Sequence, residues 1–571
     1  MIEFIYHPMT YKLKVEDRNY EKYSIYHSTS LTITDISIHP IREKLFDQDI
    51  FHTEGTKVSL VHSSVRQMSA IPGVLVVHRT FGRWKRDKFL YQCIPDDRRL
   101  PIFLVSHKLT LGFHKKKTNK YITFKFLNWD KKHPQGTIVQ VIGTVDKLEH
   151  FYEYQLYCKS LYASIQQFTK AAMRALKLKS EQHYIDTMME RNTIEDRREW
   201  EVYTIDPLKS KDYDDGFGLR LEQDEWILSI YIANVSLWMD SMDIWASFSK
   251  RIATIYLPDR RRPMLPTILS DALCSLQEQQ TRFAFTLDIH INKETYEIER
   301  TNYVNSCICV RRNYDYDAPE LKSNPLYKQL TFIIKELNKH YTYVDHLKDS
   351  HDLVAYLMIM MNFLSAQQMC SFKTGIFRAI SFKKTLPIAK EIPQDIHTFL
   401  KGWMSSGGKY VTYENKEAHA MLGLDAYIHI TSPIRRIIDL LNIINLQDKL
   451  NICTFSQGSK IFYDNWMKEL DYINQTMRAI RKVQNDSSLL AMCFKQPEKL
   501  QKIYDGFVFE RIERNDGLFQ YLVYLSELKM MNRITIRHSL KNHSMHHFKI
   551  YLFMDEDRLK QKIRLEYIEI N

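Results

Sequence analysis

The sequence predicts an α+β multidomain chain, with small OB-type β-barrels at the N-terminus, a central mixed α/β domain and a further OB-type barrel at the C-terminus. Three observations predict it. Residues 1–145 are short β runs broken by turns. Apolar spacing then takes the helical period over 148–197, and again over 325–373 and 431–495. Strand-like runs return from residue 506 onward.

Taken in order, the first part holds SLTITDISI (30–38), VLVVHRTF (74–81), KFLYQCIP (88–95) and GTIVQVIGTV (136–145). Strands this short suit small barrels better than a long-stranded sandwich. The stretch HKKKTNKYITFKFLNW (114–129) interleaves lysines with aromatics. That pattern fits a nucleic-acid-binding face of an OB-type barrel, and equally an edge strand protected by lysines. Leu148 to Arg197 is charged and helical, as linker helices are, and 198–290 returns to strands and loops. The tail contributes GFVFERI (506–512), FQYLVYLS (519–526) and HHFKIYLF (546–553). At 571 residues the chain exceeds one ordinary core.

Composition narrows the function only a little. A net charge of +12, with 34 Tyr, 29 Phe and 8 Trp, suits a polyanion whose bases can stack. Eight scattered cysteines with a single Cys-x-Cys, Cys307 and Cys309, exclude a zinc ribbon and suggest reduced thiols inside a cell. The opening MIEFIYHPMT shows no charged leader, and the most apolar run, VAYLMIMM (354–361), is shorter than the ~20 residues of a membrane span. The expectation is a protein without a membrane, in the cytoplasm ahead of the nucleus.

The sharpest feature is YTIDPLKSKDYDDGFG (203–218), which puts Asp206, Asp212, Asp214 and Asp215 within ten residues. Asp206 ends one β-like run and the other three precede the next. Converging carboxylates repel unless cations neutralise them, and hard divalent ions such as Mg²⁺ take oxygen ligands of this kind. The ordinary reading is a solvated acidic turn. An EF-hand is excluded, because counting from Asp212 places Phe217 where glycine is needed and Gln223 where glutamate is needed.

A second motif is AYIHITSPIRRIIDLLNIINL (426–446). Thr431 and Ser432 are N-cap candidates and Pro433 suits the first helical position, so Arg435 and Arg436 are expected in the first turn. The helix dipole disfavours cations there, which makes sense if an anion such as phosphate lies between them and the free amides. The competing reading is a salt bridge from each arginine to a nearby carboxylate.

Together the two motifs resemble the RNB family of ribonuclease II, ribonuclease R and the hydrolytic subunit of the eukaryotic exosome. IANVSLW (232–238) and RIATIYLPDRRRPMLPTILSDALCSL (251–276) resemble further stretches of that domain, and CIPDDRRLPIFLV (93–105) with PQGTIVQVIG (134–143) resemble its preceding cold-shock barrels. The resemblance covers roughly residues 40–500. Taken with the strand runs and the strand-like tail, it sets the expected domains: a cold-shock-like OB barrel over 1–110, a second with a linker helix over 111–185, an RNB catalytic domain over 186–498, and an OB-type RNA-binding barrel over 499–571.

The resemblance also implies an activity: Mg²⁺-dependent 3′→5′ hydrolysis of single-stranded RNA to nucleoside 5′-monophosphates by a two-metal mechanism, with Mn²⁺ as a substitute. Asp206, Asp212, Asp214 and Asp215 match the family's metal-binding aspartates, Asp214 among the catalytic residues. Arg435, with Arg436 beside it, matches the arginine that steadies the phosphate, and Tyr256 the tyrosine that stacks on the terminal base. His419 and His429 also fall on family positions, with no metal role implied; both are expected to be structural or RNA-facing, His429 as an RNA-binding residue. Three positions depart from the pattern: Asn234 for an aspartate, Ile380 for a histidine and Gln484 for a glutamate. They keep open a catalytically weakened RNB scaffold that only binds RNA, beside a third reading as a DNA-directed or endonucleolytic enzyme.

Overall fold

The computed structural model describes residues 9–34, 36–55, 57–85, 87–108, 117–191, 193–382, 392–405 and 407–569. The opening residues 1–8 and His114–Lys116 of the lysine-aromatic stretch lie outside them. The chain forms two compact units: Met1–Tyr162 with Leu257–Asp259 and Lys482–Asn571, and Ala163–Tyr256 with Arg260–Arg481.

The first unit contains a four-stranded sheet over residues 10–62 and a closed five-stranded barrel made from Ile71–Lys85, Lys88–Pro95, Phe103–His107, Lys120–Asn128 and Gln135–Thr144. Three of the four β runs read from the N-terminal sequence are barrel strands. The boundary expected at 110/111 instead falls inside this barrel. Phe103–His107 pairs in parallel with Gln135–Thr144, while Lys120–Asn128 pairs back onto the first barrel strand. One core of Leu75, Phe103, Phe124 and Trp129 therefore encloses both sides of the expected cut. The described residues of the run 30–38, 30–34 and 36–38, are not a strand. The His27 carbonyl accepts from the amide of Leu31, which has φ 55°, and the chain there makes a turn with a single bridge from Ile33 to Tyr26.

The C-terminal runs form a five-stranded antiparallel OB-type sheet spanning Tyr504 to Ile568. The side chain of Asn532 donates to the Ile563 carbonyl at 3.1 Å, joining the edge strands Met530–Ile536 and Lys560–Ile568. This sheet is fixed to the barrel by a buried ion pair, Lys560 Nζ to Asp96 Oδ1 at 2.7 Å.

The second unit is built on a seven-stranded sheet in the order Ile194–Arg197, Ile298–Cys309, Thr281–Asn292, Glu225–Ala233, Asp215–Glu222, Tyr203–Asp206, Arg312–Asp315. The two edge strands pair in parallel and the rest antiparallel. The central strand, EWILSIYIA, is buried from Ile227 onward, which accounts for its continuous apolar run rather than an alternating one. Helices Pro325–His340 and Ser350–Ser371 share one hydrophobic cluster with it. Ser350–Ser371 has the length and composition of a membrane span, yet it buries Leu353, Tyr356, Leu357, Met360, Met361 and Met369 in that cluster.

The boundary expected at 185/186 lies within helix Glu181–Arg191, which is held to helix Gln166–Leu178 by a hydrogen bond from the Tyr184 hydroxyl to the Ala175 carbonyl. The tight helix after the arginines begins at Ile437, not at Pro433. Residues 433–436 form a turn whose backbone pairs elsewhere: Thr254 N donates to the Arg435 carbonyl at 3.0 Å, and Ile437 N to the Ile252 carbonyl at 2.9 Å.

Candidate active site

Strands Tyr203–Asp206 and Asp215–Glu222 are antiparallel neighbours, so the end of one and the start of the other meet at the same edge. That brings Asp206 beside Asp215, with residues 207–214 as the connecting loop. The loop is tied down by the segment Cys274–Leu276. Ser275 Oγ donates to the Lys211 carbonyl at 2.9 Å and accepts from Tyr213 N at 3.0 Å, and Leu276 N donates to the Tyr213 carbonyl at 3.0 Å. Ala233 N donates to the Asp214 carbonyl at 2.8 Å.

A cavity of about 910 Å³ opens over this edge, lined by all four aspartates and by Tyr256, His429, Arg435 and Arg436. All eight expected site residues therefore surround one space. They are not equivalent within it. Asp214 is buried; its Oδ1 accepts from Ile434 N at 2.9 Å and its Oδ2 from Arg435 Nε at 3.0 Å. Burial raises its carboxyl to about 7, against the opposing pull of Arg435 and the Ile434 amide. Asp212 Oδ1 lies 2.6 Å from Arg261 Nη1, and its Oδ2 accepts from the Tyr256 hydroxyl at 3.1 Å. Asp206 and Asp215 each keep a buried oxygen, Oδ2 in both, with no hydrogen-bond partner. Burial and repulsion within the cluster push Asp206 to about 7 and Asp215 to about 8.

The arginines do not occupy a helical first turn. They precede the helix, and the amides expected to be free for an anion are taken: Ile434 N by Asp214 and Ser432 N by Asp439 Oδ1. The salt-bridge reading holds for both. Arg435 pairs with Asp214 and donates to Ser432 Oγ at 2.8 Å; Arg436 Nη2 pairs with Asp439 Oδ1 at 2.7 Å. Arg435 keeps 41% of its side chain exposed, so its guanidinium still faces the cavity.

Tyr256 is 40% exposed at the cavity wall. His429 shares a 2.7 Å hydrogen bond with the Tyr410 hydroxyl, and burial beside Arg436 and Arg378 keeps its imidazole neutral. His419 is buried, packs on Tyr427 and is lowered to about 4 by burial, so it too stays neutral. Asn234 is not part of the cavity wall. It caps helix Val235–Ser241, donates to Asn305 Oδ1 at 2.9 Å and accepts from Ser236 Oγ at 2.7 Å. Ile380 is buried and is not part of the cavity wall.

Two wall residues carried no separate signal in the sequence. Arg261 sits in a run of three arginines whose spacing does not single it out, and only its place opposite Tyr256 in a short ladder brings it to Asp212. Tyr316 lines the cavity and stacks on His351 at 3.7 Å; no motif marks it.

The donor set suits a hard divalent cation. Two buried carboxylate oxygens without partners, on groups whose charges repel, are what such an ion would neutralise. Among the described residues, however, no three His, Cys, Asp or Glu side chains gather around one point. Asp206 and Asp215 are the open pair, while Asp212 and Asp214 are held by arginines.

A protein-family model for the RNB domain matches residues 194–322, the segment holding the aspartates, Tyr256 and Arg261. Over that segment the chain is similar to the RNB family. A model for the Dis3-like cold-shock domain 2 matches residues 90–153, across most of the closed barrel. Ribonuclease R of Chlamydia trachomatis is 25% identical over 380 residues, which is 54% of this chain and 53% of that one. The chain spans about half the length, or less, of the curated relatives it aligns with here. In fold the chain is similar to Mycoplasma genitalium RNase R, solved with ribose-methylated single-stranded RNA, at a TM-score of 0.70 and 16% identity over 98% of this chain and 100% of that one. It is also similar to yeast Ssd1, described as a pseudonuclease, at a TM-score of 0.59 and 11% identity over 95% of this chain and 80% of that one.

Proposed function

We propose that this protein is a hydrolytic 3′→5′ exoribonuclease acting on single-stranded RNA and requiring a divalent metal, Mg²⁺ or Mn²⁺. The observation that carries the reading is the pair of unpartnered buried oxygens on Asp206 and Asp215, facing Arg435 across one cavity. Asp206 and Asp215 would hold the ion, with Asp212 and Asp214 within the same wall. Bound there, Mg²⁺ supplies a Lewis acid for the phosphate and a more acidic water.

The chain's own residues supply the rest. Asp214 orients Arg435, whose exposed guanidinium presents positive charge to a phosphodiester entering the cavity. Tyr256 offers a half-exposed ring for the terminal base to stack on. Neutral His429, fixed by Tyr410, adds a hydrogen-bonding wall without a further charge. Arg436, bound to buried Asp439, supports the turn that carries Arg435.

One observation favours a second reading, an RNA-binding scaffold with weakened catalysis. Asp212 and Asp214 are each already neutralised by an arginine, which leaves two open carboxylates rather than four. The deciding experiment is a time course on 5′-labelled single-stranded RNA, and on matched DNA, with Mg²⁺ or EDTA on a denaturing gel. A descending ladder from RNA alone, present only with Mg²⁺, supports the exoribonuclease. Intact RNA under every divalent ion, with binding retained, supports the scaffold.

A further inference from the structure

Asp212 is gripped by two side chains that stand next to each other. Tyr256 and Arg261 are direct partners in the two-residue ladder of Ile255–Tyr256 and Arg261–Arg262, so they leave it on one face. The Tyr256 hydroxyl donates to one carboxylate oxygen and Arg261 Nη1 pairs with the other. A cation at Asp212 would have to share the carboxylate with the Arg261 guanidinium, whose positive charge repels it. Arg261 also has a second anion in reach. Its Nη2 pairs with Asp271 in the helical segment Ile268–Leu273, outside the aspartate cluster. The three side chains are only partly exposed, 20% for Arg261, 11% for Asp212 and 25% for Asp271.

We propose that Arg261 is a latch on Asp212, standing in for the divalent cation at that carboxylate until a 3′ nucleotide stacking on Tyr256 releases it as the third metal ligand. The inference rests on the reading of Asp206 and Asp215 as metal ligands. Three features argue for it. One Asp212 oxygen accepts from the Tyr256 hydroxyl and the other is ion-paired with Arg261, so a positive charge already stands at this carboxylate. Asp271 keeps Arg261 paired after Asp212 leaves, so release strands no partly buried cation. Tyr256 is at once the exposed ring on the cavity wall and a donor to Asp212, so a base that shifts the ring also removes a donor from the carboxylate. Arg261 acts through Asp212 and is a positioning residue. Because coupling is reciprocal, the factor by which RNA tightens the metal is the factor by which the metal tightens RNA.

The test reads metal affinity, not turnover. Titration of the full chain with Mn²⁺ is followed by calorimetry, with and without a single-stranded RNA blocked against cleavage. The wild type is expected to bind Mn²⁺ about five- to tenfold more tightly with RNA present. Arg261→Gln is expected to bind tightly without RNA and to gain nothing from it. Asp271→Asn shifts affinity the other way, because Arg261 loses its alternative partner and holds Asp212 harder. Should Arg261→Gln melt early, Asp271→Asn and Arg261→Lys, which keeps the charge without the fork, carry the test. An Arg261→Gln protein with unchanged or weaker affinity, or with RNA coupling intact, overturns the latch; so does tighter binding in Asp271→Asn. The two readings fail separately. Wild type that binds Mn²⁺ through Asp206 with no RNA coupling sinks only the latch, whereas no loss of affinity in Asp206→Asn sinks the metal reading beneath it.

Discussion

Asp214 and Arg435, 221 positions apart in the chain, are locked at two points: the Arg435 Nε donates to Asp214 Oδ2, and the amide preceding Arg435 donates to Oδ1. A buried carboxylate thereby fixes the Arg435 side chain, which lines the cavity, and the backbone just before it. Asp214→Asn keeps an acceptor for the Ile434 amide and removes the charge that orients Arg435. The expected result is loss of RNA hydrolysis with RNA affinity nearly unchanged, read on the labelled-RNA gel and by filter binding. Full activity in that variant would refute the role given to Asp214.

The two arginines separate by what each holds. Arg435 donates to Asp214 and Ser432 with different nitrogens, which a lysine cannot do. Arg435→Lys and Arg435→Ala should each slow single-turnover cleavage by on the order of 10²-fold, the usual scale for one preorganised charge. Among the described residues the Arg436 side chain pairs with the fully buried Asp439 alone. Arg436→Lys preserves that pair and should retain most of the rate, whereas Arg436→Ala leaves a buried charge unpaired and should cost ~3–5 kcal/mol in urea unfolding. Equal rate losses in both lysine variants would undo this division.

Much of this site was legible in the sequence because it lies in two short motifs. The span from Asp206 to Asp215 is a single strand-loop-strand, so spacing alone brings the carboxylates to one edge. The course of the backbone after Ser432 was not legible. Local capping rules favour a helix from Pro433, and only the long-range ladder from Thr254 and Ile252 to residues 435–437 diverts it. The same limit hid the barrel boundary, since the parallel pairing of Leu104 with Gln135 joins segments that look like separate domains. Arg261 escaped notice because its role depends on a cross-strand neighbour rather than on its own surroundings in the chain.

Asn234 bears on the weakened-scaffold reading. Its amide nitrogen donates to Asn305 Oδ1, and its oxygen accepts from Ser236 and Leu237 in a fully buried network. An aspartate there would set two acceptors against each other at the Asn305 contact. Asn234→Asp should therefore lower stability by roughly 1–3 kcal/mol without raising the cleavage rate. A variant that cleaves RNA faster than wild type would show that position 234 acts on catalysis after all.

Asp206 and Asp215 give the sharpest pH signature. Their folded-state values, about 7 and about 8, lie far above those of an unfolded aspartate, so the folded chain holds these protons more tightly. Without metal, that contribution is fully present at acid pH, falls as pH rises from the ordinary carboxylate range through about 8, and is flat beyond. A divalent ion reverses the balance, because it binds the ionised carboxylates and competes with their protons. The rise in melting temperature on adding Mg²⁺ to EDTA-treated protein should thus be small near pH 6 and several-fold larger near pH 8.5. Asp206→Asn with Asp215→Asn should melt higher than wild type in EDTA at the alkaline end, where the repulsion is greatest, and should lose the Mg²⁺ response at every pH. A Mg²⁺ shift independent of pH, or one that survives the double variant, would place the ion elsewhere in the chain.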